Sequence, residues 1–113
     1  MTIALLNADV SLTNTAVVLL SSSISNSLTF TRVTITNTDT VAHNVTLYRV
    51  PSGGSPGTGN IIVAPGNFPG NIAAGETLAI PLTGHSLVSG QSLYGKANTS
   101  SVVNLSISYV QQS

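Results

Sequence analysis

The stretch near the C-terminal end, "VVNLSISYV" (102–110), constrains the fold most strongly because its apolar and polar residues alternate. One side carries the apolar residues Val103, Leu105, Ile107 and Tyr109, and between them the other side carries Asn104, Ser106 and Ser108. A period of two places these sets on opposite faces of a β-strand. No window of eleven or more residues keeps the i, i+3, i+4, i+7 spacing of an amphipathic helix. The sequence therefore predicts an all-β fold.

About eight short β-forming runs alternate with clusters of Gly, Pro, Asn and Ser. The expected strands are 2–6, 16–21, 28–37, 44–50, 60–64, 77–82, 92–97 and the final run from 103. We expect an antiparallel β-sandwich of two sheets, with the jelly roll as a candidate strand order. Residues 1–113 form one domain in this interpretation, and residues 1–27 are either part of it or an arm exchanged between subunits.

Three of these runs, 16–21, 77–82 and 28–37, carry more specific signals about the position or shape of their strands. The run 16–21 is apolar at consecutive positions, which predicts a strand covered on both faces. Pro81 cannot donate to a ladder, so the strand 77–82, with Leu78, Ile80 and Leu82 on one side, is expected to lie at an edge or to end there.

The run 28–37 changes phase, because Leu28 and Phe30 share one parity whereas Val33 and Ile35 share the other. A β-bulge near Thr31–Arg32 would keep both pairs on the core. Alternatively, the strand crosses there from one sheet or partner to another.

The segment "VTITNTDTVAHNVTLYRV" (33–50) predicts a hairpin-like pair of strands whose outward positions are neutral. Its core side would hold Val33 and Ile35 facing Val45 and Leu47. Its other side would carry Thr34, Thr36, Asn44 and Thr46, where charged residues are more usual. Such a face can be buried against another protein without the desolvation cost of a charge.

The charge content of the whole chain agrees with that face. Charged residues make up 5% of the chain, against about 25% in typical soluble domains. The six charges sum to zero and are Arg32, Arg49, Lys96, Asp9, Asp39 and Glu76. A near-neutral surface lacks the repulsion that keeps monomers apart, so the composition favours a homo-oligomer.

No cysteine is present, so neither disulfides nor thiolate metal ligands are available. The N-terminus has no basic region before its short apolar stretch and does not resemble a signal peptide. No apolar run approaches the roughly 18 residues of a membrane helix. We expect synthesis in a host cytoplasm and no membrane partner.

Catalytic and metal-binding patterns are weak. His43 and His85 are interpreted as loop histidines, with His43 bonded to backbone. The acids are isolated in sequence; Asp39 is expected to close an Asx-type turn and Glu76 to occupy a hairpin turn. "GHSLV" lacks the last glycine of a nucleophile elbow. We therefore predict no catalytic residue, no cofactor and no metal, and we expect the protein not to be an enzyme.

Nucleic-acid binding is equally unsupported, because three basic residues cannot neutralise several phosphates and no aromatic platform accompanies them. A saccharide site has slightly more support. Tyr109 has the inward parity of the last strand, whereas Tyr48 and Tyr94 have outward parity and could stack on a sugar. With the loop 64–71 they define a possible glycan-binding module.

Three motifs resemble a known family. "VTITNTDTVAHNVTLYRVPSGG", "IAAGETLAIPL" and "HSLVSGQSLYGKA" are similar to small virion structural proteins of tailed bacteriophages, over about residues 30–97. The shared features are turn and strand signatures. The resemblance implies a β-sandwich subunit of a virion, without indicating its place in the particle.

Two structural roles follow as expectations. The first is a capsid decoration (cement) protein, a homo-oligomer and most specifically a trimer, which binds the major capsid protein and stabilises its lattice. The second is a neck, tail or fibre subunit that contacts other virion subunits. We expect partner contacts in the loops 51–59 and 64–71 and at six residues: Phe68, Pro56, Tyr48, Tyr94, Arg32 and Arg49.

Overall fold

The computed structural model describes residues 3–66 and 70–113, which form ten β-strands and one short 3-10 turn, Thr58–Asn60. The strands are β1 (Ile3–Ser11), β2 (Val17–Ser21), β3 (Ser27–Asn37), β4 (His43–Val50), β5 (Ile61–Val63), β6 (Asn71–Ile72), β7 (Thr77–Ile80), β8 (Ser86–Val88), β9 (Ser92–Ala97) and β10 (Val103–Gln112). No helix in these two ranges is long and apolar enough to cross a membrane.

The strands form two antiparallel sheets. The first sheet has the order β1–β10–β3–β7, and β8 pairs with the start of β3 while β7 pairs with its second half. The second sheet has the order β2–β9–β4–β5, and β6 pairs with the start of β4. With β7/β8 and β5/β6 each counted as one broken strand, this is the order of a jelly roll. The predicted β-sandwich is confirmed, and the candidate strand order with it.

The phase change in β3 is a β-bulge, as the sequence predicted. Arg32 lies opposite Ser108 and Phe30 lies opposite Tyr109, so Thr31 is the extra residue. The Thr31 hydroxyl donates to the Ser108 carbonyl at 3.0 Å. Because of this bulge, the apolar side chains on both sides of it reach the core: Leu28, Phe30, Val33 and Ile35 are all buried.

β2 differs from the expectation of a strand covered on both faces. It lies at an edge of the second sheet, and Val18 is about half exposed. Val18 pairs with Tyr94 and Leu20 with Leu93, so Leu19 is bulged out of register. The prediction was wrong because the irregularity, rather than burial on two faces, explains the consecutive apolar residues.

The segment 33–50 is not a hairpin. β3 belongs to the first sheet and β4 to the second, so residues 38–42 carry the chain across the sandwich. The core sides of the two strands nevertheless meet, since Val33, Ile35, Val45 and Leu47 belong to one buried cluster. The turn before Glu76 likewise connects the two sheets rather than two paired strands: the Ala73 N–H donates to Glu76 Oε1 at 3.2 Å, between β6 and β7.

The other predicted strand features agree with the structure. β7 ends at Ile80, directly before Pro81, and both Ile80 and Leu82 are buried. Tyr109 packs against the core cluster, whereas Tyr48 and Tyr94 lie opposite each other on β4 and β9. Gly95 follows Tyr94 in β9. A Cβ on Gly95 would lie 2.8 Å from a Leu19 methyl and 2.9 Å from a Leu47 methyl. The core is therefore packed tightly beneath the second sheet.

Candidate interaction surfaces

His43 is the first residue of β4 and is only 8% exposed. Its Nε2 lies 2.7 Å from Asp39 Oδ2, and its Nδ1 lies 2.9 Å from Asn98 Oδ1. The same Asn98 oxygen accepts the Asn44 N–H at 3.3 Å, which orients the amide with its oxygen toward the ring. The interpretation of His43 as a loop histidine bonded to backbone was wrong, because its partners are two side chains, Asp39 in the turn directly before β4 and Asn98 in the turn after β9.

These three residues, Asp39, His43 and Asn98, form what we call the His43 clasp. The hydrogen bond from His43, together with one from the Thr40 N–H, lowers the pKa of Asp39. Each ring nitrogen of His43 lies within hydrogen-bond distance of a side-chain oxygen. The clasp therefore joins the turn before β4 to the turn after β9.

The Asx turn in this region belongs to Asn37 rather than to Asp39. Asn37 Oδ1 accepts the Asp39 N–H at 3.0 Å, whereas Asp39 Oδ1 accepts only the adjacent Thr40 N–H. The sequence prediction placed the turn on the wrong residue of "NTDT". His85 lies exposed in the turn after β7. Across residues 3–66 and 70–113, no three His, Cys, Asp or Glu side chains come together as a metal site would require.

The outer face of the first sheet carries rows of neutral side chains that bond to each other across strands. The Ser106 hydroxyl donates to Asp9 Oδ1 at 2.7 Å, and the Ser108 hydroxyl donates to Asn7 Oδ1 at 2.7 Å. The hydroxyls of Thr36 and Thr77, 3.0 Å apart, continue the pattern. Such cross-strand pairs satisfy the polar groups of the face within the sheet.

The start of β1 is different, because it exposes apolar side chains. Leu5 is 81% exposed and Ile3 63%, and Leu6 is also exposed. We call these three residues the β1 edge patch; Ile3 and Leu5 have outward positions on β1, whereas Leu6, opposite Tyr109, is on the inward side of the same strand. β1 pairs with β10 on one side and is the edge strand of the first sheet on the other. Exposed leucines on an edge strand are typical of a surface that another chain covers.

A groove of about 440 Å³ lies on the outer face of the second sheet. Its floor comes from outward residues of β4 and β9, among them Thr46, Tyr48 and Lys96. One wall comes from the segment after β4, through Thr58 and Ile61 to Pro65. Part of this segment, Ile61–Val63, pairs with β4 as β5. Thr46 is 4% exposed and Tyr48 8% exposed although both have outward positions on β4.

The predicted contact residues do not form one cluster. Phe68 lies outside the described residues. Pro56 is partly exposed in the loop 51–59, which is otherwise exposed at most positions. Arg32 is exposed beside the bulge of the first sheet, and Arg49 is exposed near the end of β4 in the second. Their role in partner contact stays a prediction.

The two tyrosines are brought together, but they differ in environment. Tyr48 lines the groove, whereas its cross-strand neighbour Tyr94 is half-buried outside the groove lining. Sequence reasoning missed Thr46 and Lys96 as groove residues. Strand parity gives the outward positions of both residues, but neither their pairing across β4 and β9 nor the residues that line the side of the groove follow from it.

No protein-family model matches the chain, and no curated protein matches its sequence. Two solved structures are similar to it. A chain of the Bacillus endospore appendages, which form disulfide-linked pili, has a TM-score of 0.55 and 15% identity over 99% of this chain and 87% of its own. A chain of infectious bursal disease virus, Gx strain, has a TM-score of 0.49 and 12% identity over 97% of this chain and 31% of its own. At these identities the appendage chain establishes a shared fold alone.

Proposed function

We propose that this protein is a non-enzymatic structural subunit that assembles with copies of itself, specifically as a capsid decoration protein of a tailed-bacteriophage virion. In this proposal a trimer binds the major capsid protein and stabilises its lattice. The observation that carries the proposal is the β1 edge patch beside an outer face on which several polar side chains pair across strands.

The energetics of this surface favour association. Burying one leucine side chain stabilises a complex by about 1.5–3 kcal/mol, and Leu5 is 81% exposed in the single chain. The rows next to it carry two charges of opposite sign: Asp9, which accepts the Ser106 hydroxyl, and the exposed Arg32, which lies opposite Ser108. A second chain that covers these rows must therefore supply an acceptor for Arg32. The open edge of β1 adds backbone groups that a second chain can pair with.

One comparison supports the structural role without defining it. The appendage subunit shares the fold and assembles into pili, which shows that this architecture is compatible with a self-assembling subunit. The cysteines needed for its disulfide links are absent here, so any assembly of this chain must rest on packing and hydrogen bonds. The sequence motifs of residues 30–97 are what favour a phage virion.

The self-association part is tested by native mass spectrometry on the wild type and two lysine variants. Leu5→Lys places a charge in the β1 edge patch, and Val41→Lys is the matched control because Val41 is an exposed apolar residue in the β3–β4 connection. We expect an oligomer for the wild type and for Val41→Lys, and monomers for Leu5→Lys. A wild type that is monomeric at all accessible concentrations contradicts the proposal.

The decoration part requires a second experiment. Purified protein is added to undecorated phage capsids, and the temperature of genome release is measured. We expect saturable binding at hundreds of copies per particle and a higher release temperature. A copy number of a dozen or fewer per virion would instead favour the neck, tail or fibre role.

A further inference from the structure

The groove on the second sheet contains two hydroxyl groups for which the described residues provide no hydrogen-bond partner. Thr46 and Tyr48 are both more than nine-tenths buried and both line the groove. Neither side-chain hydroxyl makes a hydrogen bond to any other residue in the described part of the chain. Every fully enclosed side-chain polar atom there has a partner, so these two hydroxyls are open to the groove.

Other groups around the groove extend the set of donors and acceptors. The Asn98 oxygen is occupied by His43 and by the Asn44 N–H, whereas its NH₂ group, at the rim, makes no hydrogen bond to residues 3–66 or 70–113. Lys96 lies directly across from Thr46. Ile61 and Pro65 provide apolar contacts next to the Tyr48 ring.

This combination selects among ligand classes. An apolar ligand would leave the buried hydroxyls of Thr46 and Tyr48 without partners, which is unfavourable. A polyanion would need more cations than Lys96 alone. A strand-like peptide would need free backbone groups, but the groove lies on the face of β4 and β9, whose backbone groups pair within the sheet.

A saccharide satisfies the same groups. Each sugar hydroxyl both donates and accepts, so it can pair with a threonine hydroxyl, a tyrosine hydroxyl or an amide. The groove volume of about 440 Å³ lies within the range of about 300–1,000 Å³ for small-molecule sites. We infer that this groove binds a short, neutral saccharide, with Thr46 and Tyr48 as the buried contacts.

The site is independent of the assembly surface, since the β1 edge patch lies on the first sheet. A structural subunit with such a groove would also attach to a sugar-coated surface. The inference therefore goes beyond the proposed function, and either one can fail alone.

The test is a titration of ¹⁵N-labelled protein, followed by NMR, with maltose, lactose, mannobiose and N,N′-diacetylchitobiose. We expect saturable shifts at the amides of Thr46, Tyr48 and Lys96 with at least one of these disaccharides. Thr46→Val and Tyr48→Phe should each weaken that binding about three- to tenfold, as expected for the loss of one hydrogen bond. Both changes leave the internal hydrogen bonds of the protein intact, so both variants should fold.

Two matched controls separate the groove from the rest of the surface. Tyr94→Phe removes the hydroxyl of the neighbouring tyrosine, and Thr34→Val removes a half-buried hydroxyl on the other sheet. Neither should change the affinity. The inference is overturned if none of the four disaccharides binds saturably, or if Thr46→Val and Tyr48→Phe bind as the wild type does. It is also overturned if these variants alter the oligomer in native mass spectra and leave saccharide affinity unchanged, because a second copy would then cover the groove.

Discussion

The outer faces of the two sheets carry the same kinds of residues but use them differently. On the first sheet, hydroxyls and amides pair across strands, as Ser106 does with Asp9 and Ser108 with Asn7. On the second sheet, the hydroxyls of Thr46 and Tyr48 find no partner among the described residues and open into a groove. Polar side chains on a sheet face can therefore either pair with each other across strands or leave hydroxyl groups unpaired.

The difference arises from the segments of chain that border the outer face of each sheet. The segment from Thr58 to Pro65 borders β4, to which Ile61–Val63 pair as β5, and its residues Thr58, Ile61 and Pro65 line one side of the groove. No corresponding wall is seen over the middle of the first sheet in the described ranges. Thr34 and Thr46 make the comparison concrete, because they have equivalent outward positions on β3 and β4 but only Thr46 is buried.

The largest effect should come from breaking the wall of the groove. A Cβ on Gly70 would collide with the Ala64 carbonyl oxygen and lie 3.1 Å from the Pro65 Cα. The Gly70 carbonyl also accepts the Val45 N–H at 2.7 Å, so the backbone there cannot shift freely. We expect Gly70→Ala to lower the free energy of unfolding by about 3 kcal/mol, measured by urea denaturation.

Gly57→Ala is the control for this change, since a Cβ there would meet only Asn60 Oδ1, at 3.8 Å. It should alter stability by less than about 0.5 kcal/mol. Equal effects of the two substitutions would show that the close crossing at Gly70 does not exist, and the wall of the groove would lose its support.

The second prediction compares the loss of stability caused by a lysine at each of the two threonines. Thr46→Lys would bury a charge directly across from Lys96, whereas Thr34→Lys would place one on a half-exposed face opposite Ser106 and Ala79. We expect a loss of at least about 2 kcal/mol for Thr46→Lys. Thr34→Lys should cost less than about 0.5 kcal/mol. The same denaturation experiment measures both, and similar losses would mean that the two faces are equally covered.

The sequence predicted local features of the fold well because their causes are local. The bulge at Thr31 follows from a parity change within a single strand, and the end of β7 follows from the missing N–H of Pro81. Features that depend on which strands meet were not available in this way. Residues 38–42 are as compatible with a hairpin as with a crossing between sheets, and the crossing is what occurs.

The groove shows more clearly that features which depend on tertiary contacts could not be predicted from the sequence. Strand parity places Thr46 and Tyr48 on the outward side of β4, and this was predicted. Their burial depends on Pro65 and the turn at Thr58, which approach through tertiary packing that no spacing encodes. The His43 clasp was missed for a related reason, because Asn98 is far from His43 in sequence and reaches it only through the pairing of β4 with β9.

The third prediction concerns the clasp at the end of β4, next to the groove. A lowered pKa in the folded state means that the ionised Asp39 stabilises the fold above its unfolded value of about 3.9, and that this contribution is lost as the pH falls through the lower folded value. His43→Met removes the main hydrogen bond to the carboxylate. We expect the pKa of Asp39 to rise toward about 3.9, followed by the carboxyl ¹³C shift against pH.

His85→Met is the control for that experiment, since His85 lies exposed in the turn after β7, away from the clasp. It should leave the Asp39 titration as it is in the wild type. An unchanged titration in His43→Met would assign the lowered pKa to the Thr40 N–H, and the clasp would not join the two turns electrostatically.

The smallest effect tests the comparison most directly, because it removes one hydroxyl from each face. Ser106→Ala deletes a donor that is paired with Asp9, so it should cost about 0.5 kcal/mol at this exposed position. Thr46→Val deletes a buried hydroxyl that the protein does not pair, and it should leave the free energy of unfolding unchanged or slightly higher. Precise thermal denaturation of both variants gives the order. If Thr46→Val is instead the less stable of the two variants, the Thr46 hydroxyl has a hydrogen-bond partner inside the protein. The polar groups of the second sheet would then be paired like those of Ser106 and Ser108 on the first sheet, and Thr46 would offer no unpaired hydroxyl to a saccharide.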